Sequence, residues 1–214
     1  MEPPANMKFG WTYPPQQLSG SHCVLVPYLM QVLRRLAPEP TKFRVIDIGC
    51  GNGAVTNLIR ERGFKNVEGI EPSEDGVEVA KRAFPELTVS RASAYEDLPR
   101  KFGQFDAVVC LEVIEHLYSP DSLARNIHGL LRDGGFALLS TPYHGYVKNV
   151  ALSVAGKWDF HHHPLVEHGH IKFWSRNTLE ALLARAGLRV VEFHRLGRVP
   201  ILAKSMFVVA TKSI

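Results

Sequence analysis

Residues 45 to 53 read Val-Ile-Asp-Ile-Gly-Cys-Gly-Asn-Gly, and Ala54-Val55-Thr56-Asn57-Leu58-Ile59-Arg60 follow without a break. A short β-branched run ends in glycines at alternate positions and passes into a helical pattern with Val55, Leu58 and Ile59 on one face. The order is strand, glycine turn, helix. Such a turn lets a ligand approach the backbone with no Cβ in the way, and the helix start offers N–H groups to polar atoms. Glycines at this spacing also serve ordinary tight turns, and the pattern differs from the dinucleotide G-x-G-x-x-G. A second short strand, Val67 to Glu71, places Glu71 about 20 residues beyond the first, the interval expected of an acid that accepts hydrogen bonds from ribose hydroxyls. Together they predict a nucleotide-cofactor site.

VIDIGCGNG followed by GIEPS resembles motif I and the acidic post-I loop of class I S-adenosylmethionine-dependent methyltransferases. The resemblance runs from about residue 43 to residue 141. Phe105 to Cys110 looks like the fourth strand of that fold, and Leu131 to Leu139 like the turn into the fifth. It implies S-adenosyl-L-methionine as cofactor, held by Asp47, Gly49, Gly51, Gly53, Glu71, Pro72, Ala94, Tyr95 and Leu111. Ser93 to Pro99 resembles the adenine loop. Many relatives carry Asp where this chain has Ala94, which leaves backbone groups and Tyr95 as the adenine contacts.

The pattern predicts an α/β, Rossmann-like fold: an open, mainly parallel, seven-stranded sheet with helices on both faces and an antiparallel edge strand, required by the short connection between 189–196 and 204–211. At 214 residues and 45% hydrophobic, the chain suits one domain, 1–214. Residues 1–40 form an N-terminal arm and helix, with Trp11 and Tyr13 in a candidate lid, and 142–174 form a His- and aromatic-rich insertion over the active site. Ser73 and Ser119 are expected helix caps, and a helix is expected from Ser175 to Ala186.

The net charge of +4 is spread over the chain with no Lys/Arg run of the kind that marks a nucleic-acid tail. Cys23, Cys50 and Cys110 form no C-x-x-C pattern, so a reducing, cytoplasmic setting is expected rather than a disulfide framework. No apolar run approaches a membrane span, and the first 18 residues do not resemble a signal peptide.

Glu112-Val113-Ile114-Glu115-His116 follows the fourth strand, at the sheet end where open α/β folds bind ligands. On a helical turn Glu112, Glu115 and His116 share one face, and two carboxylates with an imidazole suit a divalent cation. The segment is similar to the E-x-x-E-H ligand set of Mg²⁺-dependent ubiquinone-pathway catechol O-methyltransferases, and to that of enzymes methylating the terminal 2′-hydroxyl of small RNAs. In the RNA group another histidine comes from beyond the fifth strand, and His168-Gly169-His170-Ile171-Lys172-Phe173-Trp174 matches it at His170. The resemblance therefore implies a metal site of Glu112, Glu115, His116 and His170, with His116 or His170 as the alternative catalytic base. Two carboxylates with two imidazoles suit Mn²⁺, Fe²⁺, Co²⁺ or Zn²⁺ more readily than Mg²⁺. A solvated loop is the expectation for His161 to His163.

The expected activity is O-methylation of a small phenol- or catechol-like substrate, with Trp11, Tyr13, Tyr143 and Trp174 as substrate contacts. Two alternatives stay open: 2′-O-methylation of small RNA, for which the aromatics would stack on bases, and a non-catalytic cofactor-binding regulatory module. The oligomeric state is not legible in the sequence.

Overall fold

The computed structural model describes residues 16–18, 20–158 and 169–213. The predicted lid residues Trp11 and Tyr13, and His161 to His163 and His168, lie outside the described residues. Seven strands form one sheet: β1 Arg44–Ile48, β2 Asn66–Glu71, β3 Thr88–Arg91, β4 Phe105–Leu111, β5 Leu131–Pro142, β6 Leu188–Leu196 and β7 Ser205–Lys212. Their spatial order is β3-β2-β1-β4-β5-β7-β6, with β1 to β5 paired in parallel and β7 running antiparallel to both β5 and β6. The reversed strand thus sits just inside the edge. Its short connection from β6 permits only an antiparallel neighbour.

The helices are α1 His22–Leu36, α2 Ala54–Glu61, α3 Glu74–Ala83, α4 Leu98–Phe102, α5 Pro120–Leu130, α6 Tyr146–Val154 and α7 Arg176–Arg185. Of the two expected caps Ser73 forms, accepting from the Gly76 N–H, and at the start of α7 Ser175 accepts from the Thr178 N–H in a reciprocal capping box. Ser119 precedes α5, with Pro120 at its first turn, but makes no side-chain cap bond.

Each sheet face carries its own core. One gathers Leu25, Leu29 and Leu33 of α1, Val55 and Ile59 of α2, and Val77 and Ala80 of α3 against Val45, Val109 and Phe207. The other gathers Leu98 of α4, Leu123 and Ile127 of α5, and Leu179 and Leu183 of α7 against Ile46, Val108 and Val208. Strands buried on both faces read as continuous apolar runs, as β4 does from Ala107 to Leu111, with all seven of its residues buried. The helix α6 joins neither core. No helix among the described residues is long and apolar enough to cross a membrane.

Chain direction across the sheet reverses beside β1, since β2 and β3 extend to one side and β4 and β5 to the other. Open α/β folds hold their ligands at such a point of reversal, here the crevice at the carboxyl ends of β1 and β4. Phe207 ties the N-terminal helix to this frame: it is fully buried, and its ring meets that of Tyr28 edge-on at 5.0 Å. Phe207→Ala should cost about 3–5 kcal/mol of unfolding free energy in urea denaturation; a loss under about 1 kcal/mol would mean that α1 holds the sheet by other contacts.

Candidate functional site

After β1 the backbone turns through Gly49, Gly51 and Gly53 at φ 74°, 55° and 76°. At Gly49 a second constraint adds to the left-handed conformation: a Cβ there would lie 2.5 Å from Val113 Cγ2. The turn after β1 and the segment after β4 are thus in direct contact. Glu71, at the end of β2, is buried, and its two oxygens accept from the Gly51 N–H and the Ser73 N–H, both at 3.0 Å. Each carboxylate oxygen has a second lone-pair direction, so the group can tie the turn and still receive ribose hydroxyls. Asp47 is buried beneath the turn and accepts from the Thr56 hydroxyl at 2.7 Å, while burial pushes its carboxyl up to about 6. Pro72 lies between the two partners of this arrangement, Glu71 and Ser73, and Leu111 is the buried last residue of β4.

The loop expected at adenine is held by a residue that local sequence does not single out. Asn126, buried on α5, donates from Nδ2 to the carbonyls of Ala94 and Glu96 at 2.9 and 2.8 Å, and its Oδ1 accepts from the Leu98 N–H. The signal available was a lone amide on the apolar face of α5, among Leu123, Ile127 and Leu130. The Tyr95 hydroxyl accepts from the Tyr118 N–H at 2.9 Å, joining the adenine loop to the segment after β4.

That segment departs from the expected single helical turn. Only Ile114–His116 form a 3₁₀ turn, and Glu112 precedes it in a left-handed conformation with φ 53°. Its carboxylate turns to the strand ends, accepting from the Ser140 hydroxyl at 2.9 Å and the Ser205 hydroxyl at 3.3 Å. Burial raises it to about 7. Glu112 therefore stands apart from Glu115, His116 and His170, which do come together: one ligand atom from each lies within 4.8 Å of the others.

Glu115 is the centre of that group and is 1% exposed. Its backbone carbonyl accepts from the N–H groups of Ile171 and Lys172 at 2.9 and 3.0 Å, which brings His170 back to the end of β4. Oε2 accepts from the Thr141 hydroxyl at 3.0 Å. Among the described residues Oε1 is buried without a hydrogen bond, 3.9 Å from His116 Nε2 and 4.0 Å from His170 Nε2. His116 Nδ1 lies 3.2 Å from the Gly169 carbonyl; a proton there makes Nε2 the lone-pair nitrogen. A buried carboxylate oxygen facing two imidazoles is a donor set that fits a divalent cation.

Of the aromatic candidates, Tyr143 and Trp174 are among the described residues. Tyr143 and Trp174 are buried and pair as a parallel bridge, and the Arg195 guanidinium stacks 4.9 Å above the Tyr143 ring. Trp174 Nε1 is a buried donor with no hydrogen bond among the described residues.

Comparison with known proteins adds three findings. Residues 26–193 match the family model described as a methyltransferase domain. The chain is 32% identical to the ubiquinone biosynthesis O-methyltransferase of Pseudomonas aeruginosa (strain UCBPP-PA14), over 69% of this chain and 65% of that protein, so it spans just under two thirds of that relative's length. It is 30% identical to the protein of the same name from Ralstonia nicotianae, over 87% of this chain and 79% of that one. Among solved structures it is similar to magnesium protoporphyrin IX methyltransferase from Synechocystis PCC 6803 with bound SAH, with a TM-score of 0.70, 17% identity, and 94% and 91% of the two chains covered.

Burial first, and then the neighbouring Glu112, push the Glu115 carboxyl well above the usual carboxylate range. A carboxyl raised by folding favours the fold fully below its unfolded value of about 4.3, and that contribution is lost as pH climbs toward the folded value. Cation-free protein should lose thermal stability as pH rises above about 5 and through the folded values of about 6 for Asp47 and about 7 for Glu112, with Glu115 adding to the loss. Glu115→Gln should flatten part of that slope, with Glu112 and Asp47 responsible for the remainder; an unaltered slope would mean that Glu115 is ionised without a cation.

Proposed function

Because the chain belongs to the methyltransferase domain family, we propose that it transfers the methyl group of S-adenosylmethionine to a hydroxyl of a small phenol- or catechol-like substrate, beside a divalent cation held by Glu115, His116 and His170. That it is an S-adenosylmethionine-dependent methyltransferase follows from the family. The oxygen acceptor and the cation are the finer reading. One observation carries the cation: the buried Glu115 Oε1, without a hydrogen bond among the described residues, lies within 4.0 Å of both imidazole Nε2 atoms. The relatives named for O-methylation in ubiquinone biosynthesis support an aromatic hydroxyl as acceptor.

The reaction forms an O–CH₃ bond as the S–CH₃ bond breaks, and the hydroxyl proton leaves. An in-line approach of oxygen to the methyl is required, so positioning supplies much of the rate. In this reading Glu71 accepts from the ribose hydroxyls, and the Gly49–Gly53 turn receives the cofactor backbone to backbone. Ala94, Tyr95 and the Asn126 staple shape the adenine wall. The Gly49–Val113 contact sets the cofactor turn directly against the segment that bears Glu115 and His116. A cation on Glu115, His116 and His170 would act as a Lewis acid that lowers the pKa of the acceptor hydroxyl. Tyr143 and Trp174 would wall the acceptor pocket from the side of β5. Glu112 would act at one remove, holding the strand ends through Ser140 and Ser205.

The test is turnover of candidate phenols, catechols and small RNAs, read by mass spectrometry of the methylated product with and without chelator. Chelation should abolish methylation of a small phenolic product and leave cofactor affinity unchanged, and Glu115→Ala, His116→Ala and His170→Ala should each reproduce that split. A chelated enzyme at full rate would make His116 or His170 a metal-free base. Methylated RNA in place of phenol would overturn the substrate class, and cofactor binding with no turnover on any acceptor would favour a regulatory module.

Glu71→Ala should weaken cofactor binding by roughly 10–100-fold in calorimetry, because each hydrogen bond to a charged group contributes about 1.5–3 kcal/mol before water compensates. Unchanged affinity would remove Glu71 from the cofactor site.

A further inference from the structure

Thr141, Met206 and Arg195 stand opposite one another in a single row across β5, β7 and β6. Met206 belongs to the core shared with α5 and α7, and residues directly opposed in a sheet point to the same face, so all three side chains leave the sheet on that side. One end of the row is the cation site, because Thr141 donates to Glu115 Oε2. The other end is a guanidinium. Two strand spacings, roughly 10 Å, separate their backbones, and the Arg195 guanidinium reaches back to stand 4.9 Å from the centre of the Tyr143 ring.

No acid among the described residues is paired with that charge. Glu192 pairs with Arg35 and His194, Glu180 with Arg176, and the Glu112 carboxylate accepts from Ser140 and Ser205 while acting electrostatically on Lys148. The neighbouring lysines are engaged as well: Lys148 Nζ donates to the Tyr143 and Lys204 carbonyls, and Lys204 Nζ to the Gly20 carbonyl. Arg195 is exposed, so a ligand can reach it, and among the described residues it meets only the rings of Tyr143 and Phe193. The Tyr143 ring is a fixed platform, because its hydroxyl end rests on Gly145, where any Cβ would overlap it. Tyr143 bridges to Trp174, whose Nε1 is the buried donor without a hydrogen bond among the described residues. A guanidinium without a counter-ion and a donor without an acceptor thus both adjoin Tyr143.

We propose that Arg195 and Trp174 Nε1 receive a carboxylate on the acceptor, which makes the substrate a hydroxylated aromatic acid with its hydroxyl at the cation end of the row and its carboxylate at the guanidinium end. The inference rests on the O-methylation reading above and narrows its acceptor. A planar guanidinium fork matches a carboxylate, and an indole N–H adds one neutral donor. One guanidinium with one neutral donor balances a monoanion rather than a phosphate dianion. The separation along the row suits one aromatic ring between the two groups.

The full chain, treated with chelator and bound to S-adenosylhomocysteine, is titrated calorimetrically with protocatechuate and with its neutral amide, so that the comparison does not pass through the cation. The acid should bind at least about tenfold more tightly than the amide. Arg195→Gln should erase that preference and Arg195→Lys should keep only part of it, while Trp174→Phe should weaken the acid alone by about fivefold, each with the thermal midpoint of the parent. If Trp174→Phe does not fold, the two variants at exposed Arg195 carry the test. Equal affinity for acid and amide, binding of neither, or a preference that survives Arg195→Gln would overturn the proposal and leave the guanidinium as a stacking partner of Tyr143. Mass spectrometry of the methylated products, with the cation restored, separates this inference from the reading beneath it. Equal methylation of acid and amide would keep O-methylation and remove the carboxylate site; acid-selective binding with neither compound methylated would keep the site and remove that acceptor reading.

Discussion

A carboxylate taken out of water must find partners, and the placement of Glu115 shows how much of the molecule that requirement organises. Its backbone carbonyl holds Ile171 and Lys172, its Oε2 is held by Thr141 at the end of β5, and its Oε1 faces two imidazoles brought from either side of a gap of more than fifty residues. Without the return of the chain at 169–172, His116 would sit on an isolated 3₁₀ turn. With it, three ligand atoms converge beside the crevice where chain direction reverses across the sheet. The cost of burying the acid is offset only when a proton or a cation accompanies it, which couples the local stability of the site to its occupancy.

The cofactor turn uses the same economy of groups. Glu71 ties Gly51 and Ser73 together, so the acid expected to read a ribose also holds the loop that would receive the rest of the cofactor. Val113 packs onto Gly49 from the segment that carries Glu115 and His116. A change at either centre is therefore felt at the other through one van der Waals contact. Asn126 performs the equivalent task for the adenine loop, from a helix on the opposite face of the sheet to α2 and α3.

Local signals made the first half of the fold legible: β1, the glycine turn and α2 follow from a contiguous pattern, and Ser73 and Ser175 cap where hydroxyl chemistry says they should. What the sequence did not disclose depended on distant partners. Glu112 was expected on one face with Glu115 and His116, but Ser140 and Ser205 draw its carboxylate away and leave its backbone left-handed. The strand β5 begins at Leu131, already within the stretch expected as the turn into it, because pairing with Phe105 extends it through polar, glycine-containing residues with no strand pattern of their own. The helix α6 lies within the segment expected only as a His- and aromatic-rich insertion; its apolar stripe points away from the body, and its one buried residue is a lysine. Periodicity reveals which residues share a face, and not which face the protein covers.

The central claim is that Glu115, His116 and His170 form a cation site whose buried carboxyl is pushed well above the usual carboxylate range until a cation accompanies it. Calorimetric titration of chelator-treated protein with Mn²⁺ near pH 7, repeated in buffers of different ionisation enthalpy, measures the stoichiometry and the protons released together. The account predicts one ion per chain and release of about one proton on binding. Saturable binding with no proton released, or no saturable binding at all, would contradict it.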